Sequence, residues 1–181
     1  MLEKILIGLA VAVVAILVVV ALQPAEYRVT RSATIAAPLA AVFAQVNDLH
    51  QFQTWNPFAR MDPAAKNTFE GASAGTGAAL AWSGNSRIGE GRMTITESRP
   101  NERIRIRLDF VRPFASTSFA EFTFAPEGGR TAVTWSMTGH KNFAAKAMGL
   151  VMSMDRMVGG QFEQGLAGLK SKTEMTGAAR S

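Results

Sequence analysis

Residues 5–22 read ILIGLAVAVVAILVVVAL, with no charged and no strongly hydrogen-bonding side chain. No other stretch constrains this chain as much. At about 1.5 Å of rise per residue, a helix of that length spans about 27 Å, close to the hydrocarbon thickness of a bilayer. Backbone polar groups in lipid must be satisfied internally, so a lone apolar run there has to be helical. The run also lacks the polar face that a helix on a soluble core would show to water.

A cleaved signal peptide needs a basic start, a short apolar core and a small-residue cleavage site. Here the start is Glu3-Lys4, the core is long, and the exit Val20-Ala21-Leu22-Gln23-Pro24-Ala25 has no clean A-x-A. The expectation is therefore an uncleaved single-pass anchor over residues 1–25. Its orientation is weakly encoded. The α-amine and Lys4 oppose Glu3 on one side, and Arg28 and Arg31 oppose Glu26 on the other. The following domain is assigned, by a narrow margin, to the periplasmic or extracytoplasmic side. The absence of cysteine excludes disulfides, thiolate metal sites and a cysteine nucleophile.

Residues 26–174 are one domain's worth of chain, followed by a polar tail, 175–181, expected to be disordered. The net charge of +5 lies in this part, since Glu3 and Lys4 cancel. Seven arginines fall between Arg87 and Arg112 against four acids, Glu90, Glu97, Glu102 and Asp109. Such an excess can mark anionic lipid or nucleic acid, or simply a solvated strand face. No helix-turn-helix, zinc-finger or RNP-type pattern is present, so no nucleic-acid partner is expected.

Pro24 ends the anchor, and Tyr27–Ile35 reads as a strand. After Ala37-Pro38, Leu39, Val42, Phe43 and Val46 recur at helical spacing, and Leu49–Trp55 reads as a second short helix closed by Asn56-Pro57. From Asn67 to His140 the period changes to two. Ile104, Ile106, Leu108 and Phe110 give the clearest strand, with Arg103, Arg105, Arg107 and Asp109 on its other face. About six antiparallel strands, each with one apolar face, are expected. A helix over Phe143–Met157 follows, then a break at Gly159-Gly160. A final amphipathic helix marked by Phe162, Leu166 and Leu169 should end near Lys172.

A one-sided meander must bury its apolar face against another element, and the final helix is the only long one. The predicted class is α+β, an antiparallel sheet wrapped around a C-terminal helix. A gap between the two would be lined by Trp82, Phe110, Phe122, Trp135, Met137, Phe162 and Leu166. Apolar concavities of this kind bind small ligands. Trp55 and Phe58 complete the set of candidate ligand-binding residues.

Several segments are similar to one known superfamily. They are Tyr27–Pro38 (YRVTRSATIAAP), Val42-Phe43, Asn47-Asp48, Trp55–Phe58 (WNPF), Gly89–Ile95 (GEGRMTI), Thr131–Met137 (TAVTWSM) and Met157–Lys170 (MVGGQFEQGLAGLK). Together they resemble the START-like SRPBCC superfamily, closest to its polyketide cyclase/dehydrase branch, over nearly all of the chain after the anchor. The resemblance implies a helix-grip fold with a hydrophobic cavity. Its members bind lipids, sterols, polyketides and other apolar molecules, and a minority are enzymes. Fold does not by itself assign function.

Candidate chemistry is sparse. Gly71-Ala-Ser-Ala-Gly75 matches a nucleophile elbow, and Asp109 and His140 follow in hydrolase order. The elbow needs a strand-to-helix turn, whereas Ser73 lies between two strand-like segments. His50 and His140 lack partners at metal spacing, so neither a metal nor another cofactor is expected. Glu97 is in phase with Met93 and Ile95. It is the one weak candidate for a desolvated acid or base, although it lies at a strand end. The methionine-rich stretch Phe143–Met157, flanked by Lys141, Lys146 and Arg156, suits core packing, a cavity gate or an interfacial helix.

These readings combine into a membrane-anchored binding domain for a hydrophobic small molecule or lipid. The alternatives are an enzyme of cyclase or dehydratase type acting on an apolar substrate, and a non-catalytic partner-binding module with a filled cavity.

Overall fold

The computed structural model describes residues 1–150 and 153–178. Helix α1 (Leu2–Leu22) is followed by β1 (Glu26–Ile35) and three short helices, α2 (Leu39–Asn47), α3 (Leu49–Trp55) and α4 (Pro57–Met61). Six strands then run β2 (Lys66–Gly71), β3 (Ala78–Ser83), β4 (Glu90–Arg99), β5 (Arg103–Arg112), β6 (Ser116–Glu127) and β7 (Arg130–His140). Helices α5 (Phe143–Met148) and α6 (Met154–Ala178) complete the chain. The strands form one antiparallel sheet in the order β1-β7-β6-β5-β4-β3-β2, so only the first strand joins out of sequence. One face packs on α6 and the short helices, which is the expected helix-grip arrangement.

Local chemistry sets the short helices. Asp48 caps α3 by accepting from the His50 and Gln51 backbone N–H groups. Asn56-Pro57, expected only to end α3, also starts α4. Asn56 caps it by accepting from the Phe58 N–H, and Pro57 sits in its first turn.

Four expectations about the C-terminal part need correction. The stretch Phe143–Met157 is not one helix, because α5 ends at Met148 and α6 starts at Met154; residues 151 and 152 lie outside the described residues. Nor does Gly159-Gly160 break the helix. A Cβ on Gly159 would overlap the Arg31 guanidinium, so the glycine is what lets β1 and α6 approach. Arg31 then bonds Asp155 at 2.8 Å and Glu163 at 2.6 Å, pinning the first half of α6 to β1. Tertiary contact overrides the poor helix propensity of the glycine pair, about 1 kcal/mol each. Helix α6 also continues past Lys172 to Ala178, with Thr173 buried and bonded to the Leu169 carbonyl. Of the tail expected to be disordered, residues up to 178 are therefore helical, and 179–181 lie outside the described residues.

The arginine-rich face of the sheet is largely a charge-paired ladder, with pairs both across and along strands. Across strands Glu97 meets Arg103 and Glu70 meets Arg92, and along single strands Glu97 meets Arg99 and Asp109 meets Arg107. Opposite charges brought together on one face support the sheet and reduce its basic excess.

Helix α1 is the one described helix long and apolar enough to cross a membrane. Only Val20 of α1 is buried.

Candidate functional site

Between the sheet and α6 lies a cavity of about 690 Å³, well within the range of small-ligand sites. Its walls come from every strand and from α3, α4, α5 and α6. Register explains why it opens at one end of the sheet. Glu26 pairs with His140, Ser118 with Gly139, Phe110 with Ser116, Glu90 with Arg112 and Ser83 with Glu90. The start of β1 and the β3–β4 and β5–β6 loops therefore share one rim, and α5 follows directly from the end of β7 there.

Seven of the nine candidate ligand-binding residues line this cavity: Phe58, Trp82, Phe110, Phe122, Trp135, Met137 and Phe162. Trp55 and Leu166 do not. They are 1 % and 2 % exposed and belong to the core layer behind the cavity wall. The Trp55 indole N–H is bonded to the Gln45 carbonyl, and its ring lies edge-on to Phe122 and Trp135. The turn at Asn56-Pro57 separates Trp55 from Phe58, so one faces the core and the other the cavity.

The aromatic wall has two groups of rings. Trp135 stacks on Phe162 and, less squarely, on Phe122, while Trp82 meets Phe110 edge-on. Gly165 makes the first contact possible, since a Cβ there would come within 2.6 Å of the Trp135 ring. Gly91 does the same for Trp82.

Glu97 does not face the cavity. A register shift between Ile95 and Glu97 reverses the alternation, pairing Ile95 with Ile106 but Glu97 with Arg105. Ser98 turns inward instead and bonds Asn47 at 2.6 Å. Glu97 joins the outer ladder, where the hydrogen bond from Arg103 outweighs partial desolvation and holds its carboxyl below the usual value. Such a group is an ionised structural partner, not a poised acid.

The other sequence candidates are not assembled into chemistry. Ser73 is exposed in the β2–β3 loop, at the end of the sheet opposite His140. His50 is stacked on Phe69 at 3.7 Å, beside a small cleft that Ser73 and Glu70 share. Asp109 bonds Arg107 and Thr117. Among the described residues there is no cluster of potential metal ligands.

The structure adds residues that periodicity had not singled out. Tyr27 reaches across β7 and bonds Ser118 at 2.9 Å, placing a polar pair in the cavity wall. Gly139, between them in register, leaves the room, because its Cβ would lie 2.7 Å from the Ser118 hydroxyl and 2.8 Å from the tyrosine. Burial pushes the Tyr27 hydroxyl up, only partly offset by the bond to Ser118. His140, Lys141, Asn142, Arg87 and Arg112 also line the opening. Tyr27 shares the inward phase of Val29 and Ile35, the one signal that marked it. Among the described residues no carboxylate lines the cavity.

The family described as "Polyketide cyclase / dehydrase and lipid transport" matches residues 26–174. No curated protein matches the chain. Solved structures do. A protein from Chromobacterium violaceum is 17% identical, with TM-score 0.57, covering 83% of this chain and 99% of its own. A protein from Mesorhizobium loti is 17% identical, with TM-score 0.61 and coverage of 83% and 98%. The di-domain ARO/CYC StfQ from the steffimycin biosynthetic pathway is 11% identical, with TM-score 0.63 and coverage of 85% and 52%. At these identities the likeness is one of fold.

Proposed function

The chain belongs to the polyketide cyclase/dehydrase and lipid transport family of START-like SRPBCC proteins, and on that premise we propose a membrane-anchored binding domain for a hydrophobic small molecule or lipid. The observation that carries this reading is the cavity, with aromatic walls inside and a polar opening. An amphiphile fits such a gradient, its apolar part against Trp135 and Phe162 and its polar end near Tyr27, Ser118 and Lys141. The open volume argues against a partner-binding module with a filled core.

Retention of α1 as an anchor is supported by its contact with the domain. Lys146 donates to the Ala21 carbonyl at 3.1 Å, occupying one of the last carbonyls of α1, and the Lys141 N–H bonds the Ala25 carbonyl. A segment removed by processing has no need of such a contact. The extracytoplasmic placement of the domain remains part of this proposal, and a C-terminal reporter fusion tests it.

The binding test is titration of the delipidated full chain with fluorescent fatty acids and phospholipids. Saturable binding that weakens in Trp135→Ala is expected. No saturable binding across a broad apolar panel overturns the reading. An enzymatic reading draws on one observation: Tyr27 and His140 are titratable groups at the opening. It predicts turnover that Tyr27→Phe abolishes while ligand affinity persists.

A further inference from the structure

Five large apolar side chains stand at or beside the cavity rim: Phe114 in the β5–β6 loop, Phe143 and Met148 on α5, Leu150 just after it, and Met157 in the first turn of α6. They are 45–57 % exposed. Phe114, Met148 and Met157 also line the cavity, so they border its opening directly. Singly exposed apolar residues need no explanation, but a group around one opening does.

The position of this rim relative to α1 says what covers it. The last turn of α1 packs on α5 through Lys146, and Lys141 is tied to Ala25. A helix of 21 residues rises about 32 Å, about one hydrocarbon thickness. If α1 crosses a bilayer, Ala21 and Leu22 end at its edge. Helix α5, in contact with that end, then lies at the boundary of acyl chains and headgroups. Amphipathic elements at that level bury their apolar side about 5–10 Å deep.

Charge agrees with this placement. Arg28, Arg87, Lys141 and Lys146 lie around the rim and, among the described residues, form no ion pair. Of the acids there, Glu90 is paired with Arg112, Asp62 accepts from the Asn85 N–H in the β3–β4 loop, and Glu26 lies 3.4 Å from His140, so the cations outnumber the acids left without a cationic partner.

We infer that this rim is a membrane-docking surface, seated on an anionic phospholipid bilayer so that the cavity opens into the leaflet and not into water. The inference rests on α1 being held in the bilayer, and it specifies how the domain is oriented there. Ligand would then pass between Phe114 and Met148 straight from the acyl layer.

The natural chain has no cysteine, so single cysteines can be labelled cleanly. The full chain carrying Phe114→Cys, Met148→Cys, Asn101→Cys or Leu9→Cys is labelled with a polarity-sensitive fluorophore. Each is reconstituted in phosphatidylcholine–phosphatidylglycerol vesicles containing lipid quenchers at shallow or deep positions. Labels at 114 and 148 should show a blue shift and several-fold stronger shallow quenching than the label at 101, which sits on the β4–β5 turn at the far end of the sheet. The label at 9 should respond to the deep quencher. Quenching at 9 with labels at 114 and 148 as unresponsive as 101 overturns the docking surface and leaves the anchor intact. No quenching at 9 overturns the anchor and the docking surface together.

Discussion

The rings of Trp135 and Phe162 lie face to face, with centroids 3.9 Å apart and planes 8° from parallel. One belongs to β7 and the other to α6, so this contact joins the sheet to the helix it grips. Phe122 covers part of the opposite face of Trp135 at 4.8 Å. The same three rings form the inner wall of the cavity, and stability and ligand contact therefore share residues.

Phe162→Ala removes the outer ring of this stack. Large-to-small changes at buried aromatics cost about 3–5 kcal/mol, and the Trp135 face loses its partner as well. Denaturant unfolding of the full chain should show a loss of that size, with weaker binding of an apolar probe. A loss of a few tenths of a kcal/mol would mean that α6 is seated by other contacts.

Tyr27 and Ser118 can meet only because residue 139 has no side chain. Gly139→Ala puts a methyl group where the tyrosine ring lies, and overpacking of this kind costs about 1–3 kcal/mol. Tyr27→Phe removes the hydroxyl without the clash. Tyr27 is the chain's only tyrosine, so ultraviolet titration reads it directly. Its ionisation should fall above the ordinary tyrosine value, because burial disfavours the phenolate. A group whose folded pKa is raised contributes stability below its unfolded pKa, and that contribution is lost as pH rises through the folded value. The alkaline loss of stability should therefore shrink in Tyr27→Phe.

Glu97→Gln separates the outer ladder from the cavity. It removes a partner of Arg99 and Arg103 but touches no lining residue. Affinity for an apolar ligand, measured by fluorescence titration, should match that of the unsubstituted chain. A large loss of binding or of any turnover would restore Glu97 as a site residue.

These residues show where sequence patterning carries and where it stops. The helix over residues 5–22 and the alternation of Ile104, Ile106, Leu108 and Phe110 were legible because one local pattern runs along the whole segment. Five cavity residues, Trp82, Phe110, Phe122, Trp135 and Met137, followed from strand alternation, and Phe162 from helical spacing. Glu97 was misread because the bulge beside it arises from the pairing of β4 with β5, which no single strand encodes. Trp55 and Phe58 are separated by a cap-and-proline turn that redirects the chain within three residues. Tyr27 needed Gly139, far along the chain, before its reach could be known. The Gly159-Gly160 pair follows the same rule: local propensity predicts a break, and a side chain from β1 decides otherwise.

Arg31 holds the first half of α6 through Asp155 and Glu163, with Gly159 beneath its guanidinium. The hydrogen bond from Arg31 keeps the Asp155 carboxyl below the usual aspartate value. In the unfolded chain Asp155 returns to about 3.9 and takes up its proton at higher pH than the folded form does. The contribution of the pair is thus fully present above that ordinary value and is lost as pH falls through the lower folded one. Asp155→Asn should lower the melting temperature near neutrality, and its difference from the unsubstituted chain should close in acid. Gly159→Ala should lower it at every pH, because the methyl group displaces the guanidinium whatever its partner's charge. If the Asp155→Asn difference persisted unchanged in acid, the contact would act by packing alone. The ionic part of the clamp would then fail, while the steric requirement at Gly159 would stand.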